Sequence, residues 1–310
     1  MRRGLIAMFH VIDDEQWFEQ TLQFLATNYQ FVDLPFFEDT SAQSRSEKMP
    51  LHITFDDGDR SFYDKAFPLI QKYEAPTTLF VSPKIIEEEN TYWFQEVGAF
   101  SPSAFKEFLA NELNVAPLLL SPYHPILICK CFKISFILNT INKFKLQYGL
   151  SPLLNQNIST NELKEINASS MVTIGGHTMN HPILANESDE ISSFEIKESV
   201  GSLSSLLNTE ITRFACPNGT PHKDFGAREM TFKKEAGIRH AVSTEPRHLT
   251  KNENLLSLPR ISLTHGSTRY LNLKLLAGKH WKWAERMRSK SEQEQRNNLS
   301  KLIKQKHLIA

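Results

Sequence analysis

His52-Ile53-Thr54-Phe55-Asp56-Asp57-Gly58 is a short apolar and β-branched run that stops abruptly in two carboxylates and a glycine. A strand sends successive side chains to opposite faces. Two neighbouring aspartates at its end therefore point different ways, and one can hold a cation while the other accepts a proton. A plain strand-to-loop turn would use the same residue types, so the meaning of the pair depends on its surroundings.

On either side the sequence alternates. Leu5–Val11 reads as a strand, Glu15–Asn28 as an amphipathic helix, and Phe31–Leu34 as a second short strand. Ser41–Lys48 is polar and reads as a loop. After Gly58, helical spacing runs from Asp64 to Tyr73, and Thr77–Val81 follows as a buried strand. This βαβ rhythm predicts a parallel sheet that can close into a barrel, with its chemistry in the loops at the strand C-termini. Residues 84–160 interrupt it and read as a helical insertion, which either shapes a substrate site or covers an apolar edge. Alternation then resumes, with helices from Thr160, over Ser192–Leu207 and over Arg228–Ala236. Strands are expected at Met171–Ile174, Arg213–Ala215, His240–Ser243 and Leu258–Leu263. Residues 276–310 form a basic tail. From Lys279 onward it carries nine Lys/Arg against three Asp/Glu, and it reads as a solvated helical appendage.

With 310 residues there is ample chain for a substantial core. The 35 basic and 35 acidic side chains give no case for nucleic-acid binding. Cys129, Cys131 and Cys216 lack a disulfide framework or zinc spacing and read as core residues. The first residues start like a signal peptide, but Asp13, Asp14 and Glu15 arrive too early. The apolar run from Val115 to Leu138 is broken by three prolines and two lysines. The expectation is a cytoplasmic protein.

Two further segments give the aspartate pair a chemical setting. Gly175-Gly176-His177-Thr178-Met179-Asn180-His181-Pro182 follows a strand, and histidines at i and i+4 converge on one cation if the loop turns helically between them. Two imidazoles and one carboxylate make a facial triad with positions open for water and substrate. It suits zinc first, with cobalt, nickel, manganese or iron as alternatives. Arg213-Phe214-Ala215-Cys216-Pro217-Asn218-Gly219 is a strand running into a turn whose Asn218 N–H can face a developing oxyanion. Arg213 itself reads as a solvated residue.

Thr54–Gly58, His177–Pro182 and Phe214–Gly219, in this order, resemble the NodB-homology polysaccharide deacetylases. Met8-Phe9-His10-Val11, Ala66–Ile70, Ala236-Gly237-Ile238, Ala241-Val242 and Leu258-Pro259-Arg260-Ile261 are similar to the branch that serves surface-polysaccharide synthesis. The resemblance spans roughly residues 5 to 275 and leaves out the insertion and the tail. It implies a distorted (β/α) barrel of about seven parallel strands over residues 1–275. It also implies a divalent-metal hydrolase that removes N-acetyl groups from a glycan or its lipid- or nucleotide-linked precursor. Carried onto this chain, it makes Asp56 the general base and Asp57, His177 and His181 the metal ligands. Asn218 stands where the family usually has tyrosine, and Ala215 where many members have the arginine that orients the base. His265, in Leu263-Thr264-His265, and His10 are the two choices for general acid. Alternative readings are a hydrolase of another amide or imide, and a non-catalytic glycan-binding relative. The basic tail, with Trp281 and Trp283, offers a peripheral contact with the inner face of an anionic membrane.

Overall fold

The structure, a computed structural model, describes residues 4–38, 47–278 and 281–304, with backbone only for 281–291 and 304. Among these residues, eight strands, all pairing in parallel, make one sheet. They are β1 (Leu5–Phe9), β2 (Tyr29–Phe31), β3 (Met49–Phe55), β4 (Thr77–Val81), β5 (Val172–Gly176), β6 (Arg213–Ala215), β7 (His240–Val242) and β8 (Ile261–Ser262). Seven run in the order β7-β6-β5-β4-β3-β1-β8, and β2 pairs with the start of β3. The expected last strand, Leu258–Leu263, shrinks to β8, yet Leu258 bridges to Val242 of β7. The segment 258–262 thereby spans from β7 to β1 and joins the ends of a distorted (β/α) barrel. The second strand also differs from its expected span. It ends earlier, at Phe31, because Asp33 turns the chain into a 3-10 turn, Leu34–Phe37, by capping the Leu34 N–H.

Parallel sheets covered by helices are buried on both faces, and here the two faces differ in chemistry. Leu5, Ala7 and Phe9 of β1, Leu51, Ile53 and Phe55 of β3, and Leu79 and Val81 of β4 belong to the large outer core beneath the helices. Ile6, Phe80, Ala215, Val242 and Leu258 form a smaller cluster facing inward. Strand alternation therefore aims His52, Thr54 and Asp56 of β3 and its exit into the barrel, and all three are buried.

Local signals fix the helices. Asp14 caps the helix Glu15–Asn28, Ser159 and Glu162 form a capping box on Thr160–Asn167, and Asn208 ends Asp189–Leu207 in the left-handed conformation. The stretch read as a helix from Asp64 is a π-turn, Phe62–Ala66, leading into Phe67–Lys72. The insertion is helical as expected. Pro117 and Pro125, which broke its apolar run, sit at the first positions of the short helices Pro117–Leu120 and Pro125–Cys129, where a missing N–H does no harm. All three cysteines are buried and free.

The tail departs from its reading as solvated. The helix Trp281–Lys304 packs on the insertion, with Leu299 and Ile303 buried in its core beside Phe132 and Ile128. The side chains of Trp281 and Trp283, and most of the loop Ser41–Lys48, lie outside the described residues. Among those described, no helix is long and apolar enough to cross a membrane.

Candidate active site

The residues singled out in the sequence gather at the C-terminal ends of the strands, with His10 after β1, Asp56 and Asp57 after β3, His177 after β5 and Asn218 after β6. Asp56 keeps the inward direction of His52 and Thr54. Asp57 leaves the strand with φ 72°, which separates the two carboxylates as their adjacency predicted. The His177–His181 loop converges differently from the helical turn expected. Thr178 at φ 65° and His181 at φ 56° fold it through two left-handed residues. For a β-branched residue such as Thr178 this is costly, and such conformations persist where the surroundings over-determine them. Glu195, buried on the helix Asp189–Leu207, does so here by accepting from the Met179 N–H, the Asn180 N–H and Asn180 Nδ2 at 2.7–2.9 Å. Gly175 permits the strand itself, since a Cβ there would lie 2.5 Å from the Phe80 ring.

Asp57, His177 and His181 bring one ligand atom each to within 4.8 Å of one another, a cluster found once among the described residues. His177 Nδ1 lies 2.7 Å from the Ala215 carbonyl, and a proton donated there leaves the Nε2 lone pair facing Asp57 Oδ1 at 3.4 Å. His181 Nε2 approaches the same oxygen at 3.3 Å. Asp57 Oδ1 is buried without a hydrogen-bond partner, so three electron-rich atoms converge on a point that a cation would satisfy. Burial alone would raise the Asp57 carboxyl, but the two imidazoles outweigh it and hold it well below the usual carboxylate range. At His177 burial is likewise outweighed, by Asp57 and Asp56, and its pKa rises. At His181 burial prevails and lowers it.

Asp56 is 4% exposed and carries its own counter-ion. Arg260 Nη1 and Nη2 reach its two oxygens at 2.6 and 2.8 Å, and Arg260 Nε donates to the Ser243 carbonyl at 3.1 Å. Burial pushes the Asp56 carboxyl up, and the guanidinium more than reverses it. Sequence pattern alone gives Arg260 no role. The available signal was an arginine inside an otherwise apolar run near Leu258–Leu263, because a buried arginine requires a buried anion.

Arg213 is buried rather than solvated. Its inward face is that of Ala215, but it sits one layer deeper and takes Asp33 in a fork, with Nη1 also on Thr78 Oγ1 at 2.8 Å. It therefore serves the floor of the barrel, and Arg260 serves Asp56.

His10 and His265 part company. His10 Nε2 is 3.9 Å from Asp56 Oδ2. His265 lies against Trp17, with ring centroids 5.2 Å apart, beside the Gly266 carbonyl that Trp17 Nε1 holds at 2.8 Å. The insertion contributes a wall. Tyr92 Oη donates to the Asp57 carbonyl at 2.7 Å, Trp93 Nε1 donates to the His181 carbonyl at 2.9 Å, and the Phe94 ring lies 4.9 Å from His181. Residue spacing does not reveal these contacts, because both acceptors are backbone atoms.

Against this geometry, a family model described as polysaccharide deacetylase matches residues 43–239. The chain belongs to the polysaccharide deacetylase family. Among curated members, it is 29% identical over 97 residues to poly-β-1,6-N-acetyl-D-glucosamine N-deacetylase of Staphylococcus aureus, covering 31% of this chain and 32% of that one. It is 34% identical over 86 residues to the enzyme of the same name from Staphylococcus epidermidis, covering 27% and 29%. The matched stretch thus spans about a third of those relatives' length. Among solved structures, the Streptococcus pyogenes deacetylase PplD in complex with acetate superposes with a TM-score of 0.58 at 19% identity, covering 88% of this chain and 97% of that one. IcaB from Ammonifex degensii gives 0.54 at 17% identity, covering 85% and 93%. At these identities the likeness concerns the fold, and this polysaccharide deacetylase family member shares its distorted barrel with both.

Proposed function

We propose that this protein is a metal-dependent N-deacetylase acting on an N-acetylated sugar of a glycan or its precursor and releasing acetate. The reading is carried by one observation, the convergence of Asp57, His177 and His181 beside an Asp56 carboxylate gripped by Arg260. The names of the staphylococcal relatives add poly-β-1,6-N-acetylglucosamine as the substrate type to try first.

Asp57 and Nε2 of each histidine would hold a divalent cation, zinc first. When bound, it would supply Lewis-acid polarisation of the acetyl carbonyl and a lowered water pKa, about 7 on zinc. Asp56, kept ionised by Arg260, takes the proton of the water that attacks the acetamide carbon. The Asn218 N–H, which has no acceptor among the described residues, donates to the oxyanion that develops. His10, beside the base at 3.9 Å, protonates the departing amine in preference to His265. Acetate and a free amino sugar leave.

The experiment is elemental analysis of the purified full chain alongside Asp57→Ala and His181→Ala, with acetate release from N-acetylglucosamine oligomers measured on the same samples. Stoichiometric metal and acetate release in the wild type, both lost in the variants, are expected. Metal without acetate would move the reading to another amide. No metal under any loading would overturn it.

A further inference from the structure

The family match ends at residue 239, yet the helix Trp281–Lys304 reaches back to the turn that carries Asn218. Glu292, Arg296, Leu299 and Ile303 fall at i, i+4, i+7 and i+11, one stripe of a helix. Leu299 and Ile303 are buried in the insertion core, and Glu292 Oε1 meets Lys130 Nζ at 3.0 Å. Arg296 extends from the same stripe. Its Nη1 donates to Asp224 Oδ1 at 2.7 Å, and its Nη2 approaches the Lys130 carbonyl at 3.4 Å.

Asp224 is fully buried. Its second oxygen, Oδ2, accepts from Asn218 Nδ2 at 2.6 Å and from the Thr220 N–H at 3.0 Å. One carboxylate thus has the C-terminal helix on one oxygen and the Asn218 turn on the other. Asn218 sits at φ 59°, in the left-handed region, followed by Gly219 at φ 65°, and the Thr244 hydroxyl holds its carbonyl at 2.9 Å. The direction of the Asn218 peptide N–H follows from this clamped conformation.

A buried carboxylate that loses its arginine partner must find another counter-charge or lose its charge. Lys223, whose ammonium burial depresses, is the alternative partner beside it. Either outcome loosens the grip of Asp224 on Asn218 Nδ2 and the Thr220 N–H, by movement or by a weaker acceptor. An oxyanion donor displaced by a fraction of an ångström loses much of its effect, because only a preorganised donor favours the transition state over the substrate.

We propose that Arg296 is a positioning residue for deacetylation, holding the Asn218 turn in place through Asp224. A helix that follows the family domain in sequence would thereby become a working part of the site. The proposal rests on the reading of Asn218 as the oxyanion donor.

The test uses the full zinc-loaded chain and N-acetylglucosamine oligomers. It compares wild type with Arg296→Gln and Arg296→Lys for kcat, KM and bound metal, with amide hydrogen exchange followed across residues 217–220 and 177–181. Arg296→Gln should lower kcat at least about tenfold with KM within about twofold and metal unchanged, and it should speed exchange in the Asn218 turn alone. Arg296→Lys keeps the charge that Asp224 needs, guards against a chain that fails to fold, and should fall between the two. A kcat equal to wild type in both variants overturns the proposal. So does a loss of activity that tracks loss of metal, with exchange rising equally in the His177–His181 loop. If the wild type releases no acetate while exchange in the Asn218 turn still rises, the deacetylase reading fails and the clamp stands.

Discussion

Arg260 and Asp56 are 204 residues apart in the chain and meet as a two-pronged ion pair, Nη1 on Oδ1 at 2.6 Å and Nη2 on Oδ2 at 2.8 Å. Both are buried, so the pair is worth most as a unit; removing one partner of a buried pair typically costs about 3–5 kcal/mol. Arg260→Gln should therefore lower the melting temperature and reduce kcat by about 100-fold or more while leaving bound metal at wild-type stoichiometry. Arg260→Lys, a point charge without the fork, should recover only part of either. Calorimetry, acetate release and elemental analysis on one set of samples check all three.

The general acid can be identified by subtraction. His10→Gln should reduce kcat by about 100- to 10,000-fold, the usual range for a positioned acid or base. His265→Gln, which alters a ring resting on Trp17, should stay within about threefold of wild type. Reversal of that order would move the role to His265.

Tyr92→Phe removes one hydrogen bond from the insertion to the carbonyl of Asp57, a proposed metal ligand. Outer partners of this kind typically tune metal affinity by about 10- to 100-fold. A zinc titration against a competing chelator should show weaker binding by about tenfold, with secondary structure unchanged by circular dichroism.

His52 makes stability depend on pH. It is fully buried, with Nδ1 at 2.8 Å from the Val32 carbonyl and Nε2 at 2.9 Å from Thr78 Oγ1, whose own donor neighbour is Arg213. Burial pushes its pKa down from 6.5 to about 4. The unfolded chain therefore takes up a proton near pH 6.5 that the folded chain refuses until about pH 4, so stability falls as pH drops through that window. The loss amounts to roughly 3 kcal/mol at 1.36 kcal/mol per pKa unit. In denaturant unfolding, His52→Gln should be less stable than wild type at pH 7.5, and the gap should narrow steadily toward pH 4.

The cluster of Asp57, His177 and His181, with Asp56 beside it, is legible in the sequence because each residue lies within a few positions of a strand end, where local pattern and position coincide. What escaped depends on distance. Arg260 lies beside a two-residue strand, too short for any alternation to announce it, and its partner is far away in sequence. Arg213 looked solvated because Asp33, which neutralises it, belongs to a different loop at the barrel floor. The tail's net charge points to solvent. The spacing of Glu292, Arg296, Leu299 and Ile303 carried the opposite message, but charge composition averages over a helix face and spacing does not.

The rung between Leu258 and Val242, and the two-residue strand that follows it, have a consequence for how this protein fails on heating. Elsewhere the sheet is laced by ladders of three to five paired residues, apart from the single pair joining β5 and β6; here the chain passes from β7 to β1 in a few residues. Arg260 sits in that seam, between the bridge and β8. Local opening costs least where paired backbone is shortest; of these short joints the seam is the one that holds Arg260, and its opening carries the guanidinium away from Asp56. Acetate release, if the proposed deacetylation holds, should therefore be lost reversibly several degrees below the melting of the helices.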